Sequence, residues 1–159
     1  MLRTIAAMLA AATLSDPTPP SAYEAKKVID YYYSGRSQGP LLVDLKACLK
    51  VDIAKGSPTF LECTDPVKGP VKKGSLVHLW ALLMVPDPGV SADGGTPAEE
   101  EVTLQFLQGT EVKMSLALTA RPGLRDRIER ARALNKPGQW ELRLLRAGKV
   151  LGSVSVTVE

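Results

Sequence analysis

The chain holds a single histidine, so any imidazole chemistry rests on His78. It stands in the run Leu76-Val77-His78-Leu79-Trp80-Ala81-Leu82. On a strand, that spacing places His78 on the same face as Leu76, Trp80 and Leu82. An imidazole amid such neighbours is more simply a packed, hydrogen-bonded residue than a general base. No Gly-x-Ser-x-Gly elbow, phosphate-binding glycine loop or dinucleotide fingerprint accompanies it. Gly94-Gly95 falls in a polar loop rather than between a strand and a helix. Carboxylates gather at Asp87, Asp93 and Glu99-Glu100-Glu101. Calcium could be held there, but the spacing matches no EF-hand, and a solvated acidic loop accounts for the same residues. The reading is a protein without a catalytic residue, a cofactor or a metal, and not an enzyme.

Cys48 and Cys63 flank a turn. Residues 41–53 read as a strand, 54–58 (Ala-Lys-Gly-Ser-Pro) as the turn, and 59–64 as the returning strand. With Lys55 and Gly56 at the turn centre, the two cysteines fall directly opposite each other, where a disulfide is geometrically possible. A redox pair or half a metal site is the competing reading, but the spacing is not Cys-x-x-Cys and one histidine completes no familiar zinc set. A lasting disulfide needs an oxidising compartment. The N-terminus points the same way: Arg3 precedes the uncharged run Ile5–Leu14, and Ala12, Ser15 and Ala22 offer small residues for cleavage. That pattern suits a signal peptide; an amphipathic helix is the alternative. The run is too short to span a bilayer in the mature protein. We therefore expect residues 1–22 to be a signal and proline-rich linker, residues 23–159 to be one domain, and the location to be periplasmic or extracellular.

Two groups of side chains suit binding rather than catalysis. Tyr31, Tyr32 and Tyr33 stand together in a chain with four tyrosines, two tryptophans and two phenylalanines. Exposed, they favour a protein or sugar contact; packed, they cover the edge of the fold. Arg121, Arg125, Arg127, Arg130 and Arg132 form a basic segment broken by Asp126 and Glu129. A solvated mixed-charge face and an anion-binding stripe are both open readings. The net charge of +3, with charged residues at 23% and spread along the chain, is no nucleic-acid footprint.

These residues must be carried by strands. Residues 139–146 alternate Trp140, Leu142 and Leu144 with Glu141 and Arg143. After a turn at Ala147-Gly148-Lys149, Val154, Val156 and Val158 alternate with Ser153, Ser155 and Thr157. Such a hairpin, wet on one face, closes a sandwich. Further strands are expected at 75–86, 101–108 and 111–120, with a tight turn at Gly109-Thr110 and a long connection over 86–98. Tyr23–Tyr33 is expected as a short helix on the sheet. Residues 124–134 are open to two readings: propensity says helix, but the segment lies between strands. The expected core is Trp80, Leu82, Val102, Leu104, Leu116, Trp140, Leu142, Val154 and Val156.

The order His78-x-Trp80, two alternating strands, an arginine-rich segment, Pro137-Gly-x-Trp140 and Gly148-Lys-x-Leu151-Gly-Ser resembles an uncharacterised family of bacterial exported immunoglobulin-like domains that close with a Pro-Gly-x-Trp strand. The pattern spans roughly residues 41–159. The resemblance implies an all-β, immunoglobulin-like sandwich of seven to eight strands with one short N-terminal helix, and it turns 124–134 toward strand. It implies no activity. The expected function is a non-catalytic exported binding or structural module of the envelope, contacting another envelope protein through Tyr31–Tyr33, the arginine stripe or a sheet edge. The alternative is an accessory domain that binds glycan or another anionic polymer through Tyr32, Arg127, Arg130 and Arg132. Neither reading involves nucleic acid or a membrane span after signal removal.

Overall fold

A computed structural model describes residues 21–33, 39–85 and 100–159. Of the expected signal and linker over residues 1–22, residues 1–20 lie outside the described residues, as does the acidic loop with Asp87, Asp93 and Glu99; Ala22 is the first residue of a helix. Helix α1 (Ala22–Tyr33) precedes eight strands: β1 (Leu41–Val51), β2 (Cys63–Pro66), β3 (Leu76–Val85), β4 (Glu100–Gln108), β5 (Glu111–Ala120), β6 (Gly123–Ala133), β7 (Gly138–Arg146) and β8 (Lys149–Val158). They form two four-stranded sheets, ordered β2-β1-β3-β6 and β5-β4-β7-β8. Every strand pairing is antiparallel. The chain passes between the sheets after β3, after β5 and after β6, so β6 returns beside β3 and β7 beside β4. This is the Greek-key path of an immunoglobulin-like sandwich. Residues 123–133 are strand, against their helical propensity, because β3 offers an edge on which the segment buries Ile128 and Leu134.

The interior is filled from alternate positions. Val77, Leu79, Ala81, Leu83 and Val85 of β3 face Val102, Leu104, Phe106, Trp140, Leu142, Leu144, Val156 and Val158 of the other sheet. Trp80 and Leu82 are buried as expected, but on the opposite face of β3. There they join Val43, Cys48, Val51 and Met84 in a second cluster, with Val28 of α1 packed against it. β3 is therefore buried on both faces, which is why it reads as one continuous apolar run. Val154 packs against the main core only in part. Leu116 departs from the expectation: it is 38% exposed.

The cover over the outer cluster is α1, β2 and the loop between β1 and β2. Ser21 and Glu24 cap α1 reciprocally, Glu24 N–H donating to Ser21 Oγ and Ser21 N–H to Glu24 Oε2. Lys27 Nζ donates to the Val43 carbonyl at 2.7 Å and pins the helix to β1. Cys48 and Cys63 form the disulfide, with Cα atoms 5.9 Å apart. The register that suggested it is different, however. Cys48 pairs with Pro66 and Cys63 with Val51, so the bridge is diagonal. Residues 59–62 are not strand; they belong to a loop in which Leu61 adopts a left-handed backbone, φ 58°. That bend presents the Leu61 carbonyl to Trp80 Nε1 at 2.6 Å. The closing hairpin matches its sequence reading. Ala147 and Gly148 both have positive φ, the conformation of a two-residue turn whose twist suits the flanking strands.

Candidate functional site at the open side of the sandwich

β6 carries the arginine segment along the edge of its sheet, and the strand period divides that segment between two faces. Directly opposed residues of neighbouring strands share a face. Arg127 and Glu129 stand opposite Leu82 and Trp80, on the outer face. There Arg127 Nη2 lies 2.6 Å from Glu62 Oε1, and Arg125 Nη2 lies 3.3 Å from Glu24 Oε1 and 3.7 Å from Glu62 Oε1. These pairs tie β6 to the helix N-terminus and to the loop beside the disulfide. Arg130 and Arg132 stand opposite Leu79 and Val77, on the inward face. No carboxylate lies within ion-pair distance of Arg121, Arg130 or Arg132 among the described residues. Arg130 Nη1 donates to the Glu129 carbonyl at 2.7 Å, and Arg132 Nε, like Arg127 Nε on the outer face, is out of solvent without a hydrogen-bond partner among the described residues.

Around the free edge of β6, toward β5, runs an open groove of about 540 Å³, lined by Leu118, Thr119 and Arg121 on one side, by Asp126, Ile128 and Arg130 of the inward face of β6, and by Arg127, Glu129 and Leu61 from its outer side. The two-residue link Arg121-Pro122 carries the chain from one sheet edge to the other at its closed end. Asp126 Oδ2 accepts the Arg121 backbone N–H at 2.7 Å and fixes that corner. The groove exists because β5 overhangs. Met114, Leu116 and Leu118 oppose Phe106, Leu104 and Val102, so they point toward the interior. They lie beyond the edge strand of the facing sheet, and Leu116 is left exposed where Leu104 beside it is fully buried.

The other sequence candidates occupy structural positions. His78 Nδ1 is 2.8 Å from Glu129 Oε2, a cross-strand pair on the outer face. Tyr31, Tyr32 and Tyr33 form the last turn of α1, and their side chains lie outside the described residues. Glu100 meets Arg146 in a two-pronged pair at 3.0 and 3.1 Å, away from the groove. A smaller pocket of about 460 Å³ between α1, β1 and the Cys63 loop is lined by Glu24, Asp44, Lys46, Glu62 and Arg125, charges of both signs that largely pair with one another. Asp52 shows the clearest electrostatic perturbation. Hydrogen bonds from Ser57 and Thr59, then from the Ala54 backbone, hold its carboxyl down at about 2. It organises the loop that delivers Cys63. No helix among the described residues is long and apolar enough to cross a membrane.

The groove is what sequence reasoning missed. The arginines are visible in the sequence, but their partition into an ion-paired outer set and an inner set with no carboxylate partner among the described residues depends on register. Leu116 carried the one available signal: it sits in a strand that is otherwise polar on alternate positions, and no sequence rule tells whether the facing sheet reaches it.

No family model matches the chain, and no curated protein matches its sequence. Among solved structures, an immunoglobulin-like protein from Pseudomonas aeruginosa is similar at 11% identity and a TM-score of 0.44, over 77% of this chain and 98% of that one. An alkylpurine DNA glycosylase from Pseudomonas fluorescens, bound to DNA containing an abasic-site analogue, is similar at 15% identity and a TM-score of 0.39, over 58% of this chain. A β-glucosidase from Listeria innocua is similar at 12% identity and a TM-score of 0.40, over 72% of this chain. The chain spans 28% of the glycosylase and 16% of the glucosidase. The architecture assigned above rests on strand order and register.

Proposed function

We propose that the chain is a non-catalytic exported module of the cell envelope that holds another protein along the open β5–β6 side of its sandwich. The observation that carries this reading is Leu116, an inward-facing leucine left 38% exposed on β5, two residues from Leu118, which lines a groove with Arg121 and Arg130. Apolar surface rimmed by charge is the usual make-up of a contact site. The Cys48–Cys63 disulfide supports an oxidising location. The distribution of the reactive side chains supports a non-catalytic role. Both cysteines are consumed in that bond, and the single histidine is spent on a cross-strand pair with Glu129.

A second reading has its own support: Arg121, Arg130 and Arg132 suit an anionic polymer such as an acidic glycan. Capture from envelope extract with the unreduced full chain separates the two. The first reading expects a protease-sensitive partner whose capture is lost in Leu116→Glu and in Arg130→Glu with Arg132→Glu. A protease-resistant polymer retained by the arginines alone would establish the second. Capture indifferent to all three substitutions would move the contact elsewhere.

A further inference from the structure

On the basis of that reading, we propose the form of the partner: an extended segment with acidic side chains at alternate positions, adding as a further strand to the free edge of β6 and lying across β5. Of the four sheet edges, β6 is the one built to receive a strand. β2 has four residues and ends at Pro66. β8 is already engaged near its end, where Val71 bridges Val158, with Val71 N–H donating to the Thr157 carbonyl and Glu159 N–H to the Val71 carbonyl. β5 is bulged between Val112 and Met114, and its remaining run, Met114–Ala120, has no charged side chain to select a partner strand. β6 pairs with β3 alone among the described strands and, past an irregularity between Gly123 and Asp126, keeps its register to Ala133, so its other edge has no strand partner among the described residues; Arg130 Nη1 covers the Glu129 carbonyl at 2.7 Å and would be displaced from it or share it.

Position and charge then specify what fits. A strand added to β6 extends that sheet over the overhanging β5, and its inward side chains meet Leu116 and Leu118. The residue opposite Ile128 is therefore apolar. Arg130 and Arg132 are spaced two apart on the same inward face, which is the side-chain period of a strand. Carboxylates two apart on the incoming segment stand opposite both, and an arginine–carboxylate pair is well suited to such a half-covered site. Asp126, the acidic group on this face of β6, already accepts the Arg121 backbone N–H. A second copy paired antiparallel about Ile128 would set Asp126 against Arg130 and Glu129 against Arg127, but it brings no carboxylate opposite Arg132; a dimer of the free chain in size-exclusion chromatography would assign this edge to self-association and overturn the proposal.

The probe is a labelled peptide of about ten residues, the usual length of a strand. It carries threonine at every second position and, between them, two glutamates followed by two valines. One control replaces glutamate by lysine and a second places proline at the centre. Fluorescence anisotropy with the unreduced full chain is expected to show binding of the glutamate peptide, and binding weaker by roughly tenfold or more for either control. Arg130→Glu with Arg132→Glu should weaken the glutamate peptide by a similar factor and favour the lysine one. Arg130→Gln with Arg132→Gln, which keeps the bulk without the charge, should fall between. Equal binding of the glutamate, lysine and proline peptides overturns the proposal. So does binding of a soluble polyuronate when every peptide fails. Either result leaves the interaction-module reading standing if a protein is still captured from envelope extract; loss of all protein capture overturns that reading itself.

Discussion

Asp52 shows how much of this fold hangs on single side chains. Its carboxylate takes the hydroxyls of Ser57 and Thr59 at 2.5 and 2.6 Å and the Ala54 N–H at 2.9 Å. Those bonds lower its pKa from 3.8 to about 2. A depressed carboxyl contributes stability that is complete above its unfolded pKa and is lost as pH falls through its folded one. Asp52→Asn should therefore be less stable than the parent at neutral pH, with a gap that closes between about pH 4 and pH 2 in urea unfolding. A gap that stays constant across that window contradicts the assignment. Gly152 is a second such position. A Cβ there would lie 2.5 Å from Leu42 Cδ2 and 3.3 Å from Leu45 Cδ2, where β1 packs over β8. Both contacts are ends of flexible side chains, so Gly152→Ala should cost about 1–2 kcal/mol rather than prevent folding. Combined with Leu42→Ala, the measured loss should be smaller than the sum of the two single losses. Neither residue announced itself in the sequence. Asp52 reads as an ordinary loop aspartate, and Gly152 as a glycine in a strand whose reason is another strand's leucine.

At the scale of elements, legibility followed burial. The β7–β8 hairpin was plain because each strand is covered on one side, so its period shows. β3 was recognisable as a strand, but its apolar residues could not be sorted into two cores, because what covers the outer face is α1 and the disulfide loop, not the other sheet. β6 was hardest. An edge strand with arginines on both faces has little alternation to show, and its residues favour helix in isolation. The cysteines were paired for a reason the structure revises. The loop between β1 and β2 is wider than a tight hairpin, and Leu61 bends it so that Cys63 arrives diagonally to Cys48. The bridge closes a separation of 15 residues, which should contribute about 3 kcal/mol by chain entropy. Replacing both cysteines by alanine should lower the unfolding free energy by that order. It should also alter the emission of Trp80, whose indole N–H leans on the Leu61 carbonyl. An unchanged denaturation midpoint would mean that α1 and the ion pairs of Glu62 hold the outer cluster without the bridge.

At the scale of the whole molecule, the two sheets do not register strand for strand. β1 packs over β8, while β5 extends past the edge at β6 and meets it only sparsely. One side of the sandwich is thereby closed by β2 and the segment around Val71, and the other is left as a mixed groove in which Leu118 and Ile128 stand among Arg121, Asp126 and Arg130. The offset could not be read from the sequence, since every strand involved is individually ordinary; it appears only when both sheets are assembled. It also explains why Leu116, patterned as core, is half-open. Amide hydrogen exchange of the unreduced full chain, alone and with its captured envelope protein, shows which edge of the sandwich the partner covers. Exchange should slow in residues 123–133, with β8 and α1 unchanged. Protection confined to α1 or β8 while 123–133 exchanges as in the free chain would contradict it.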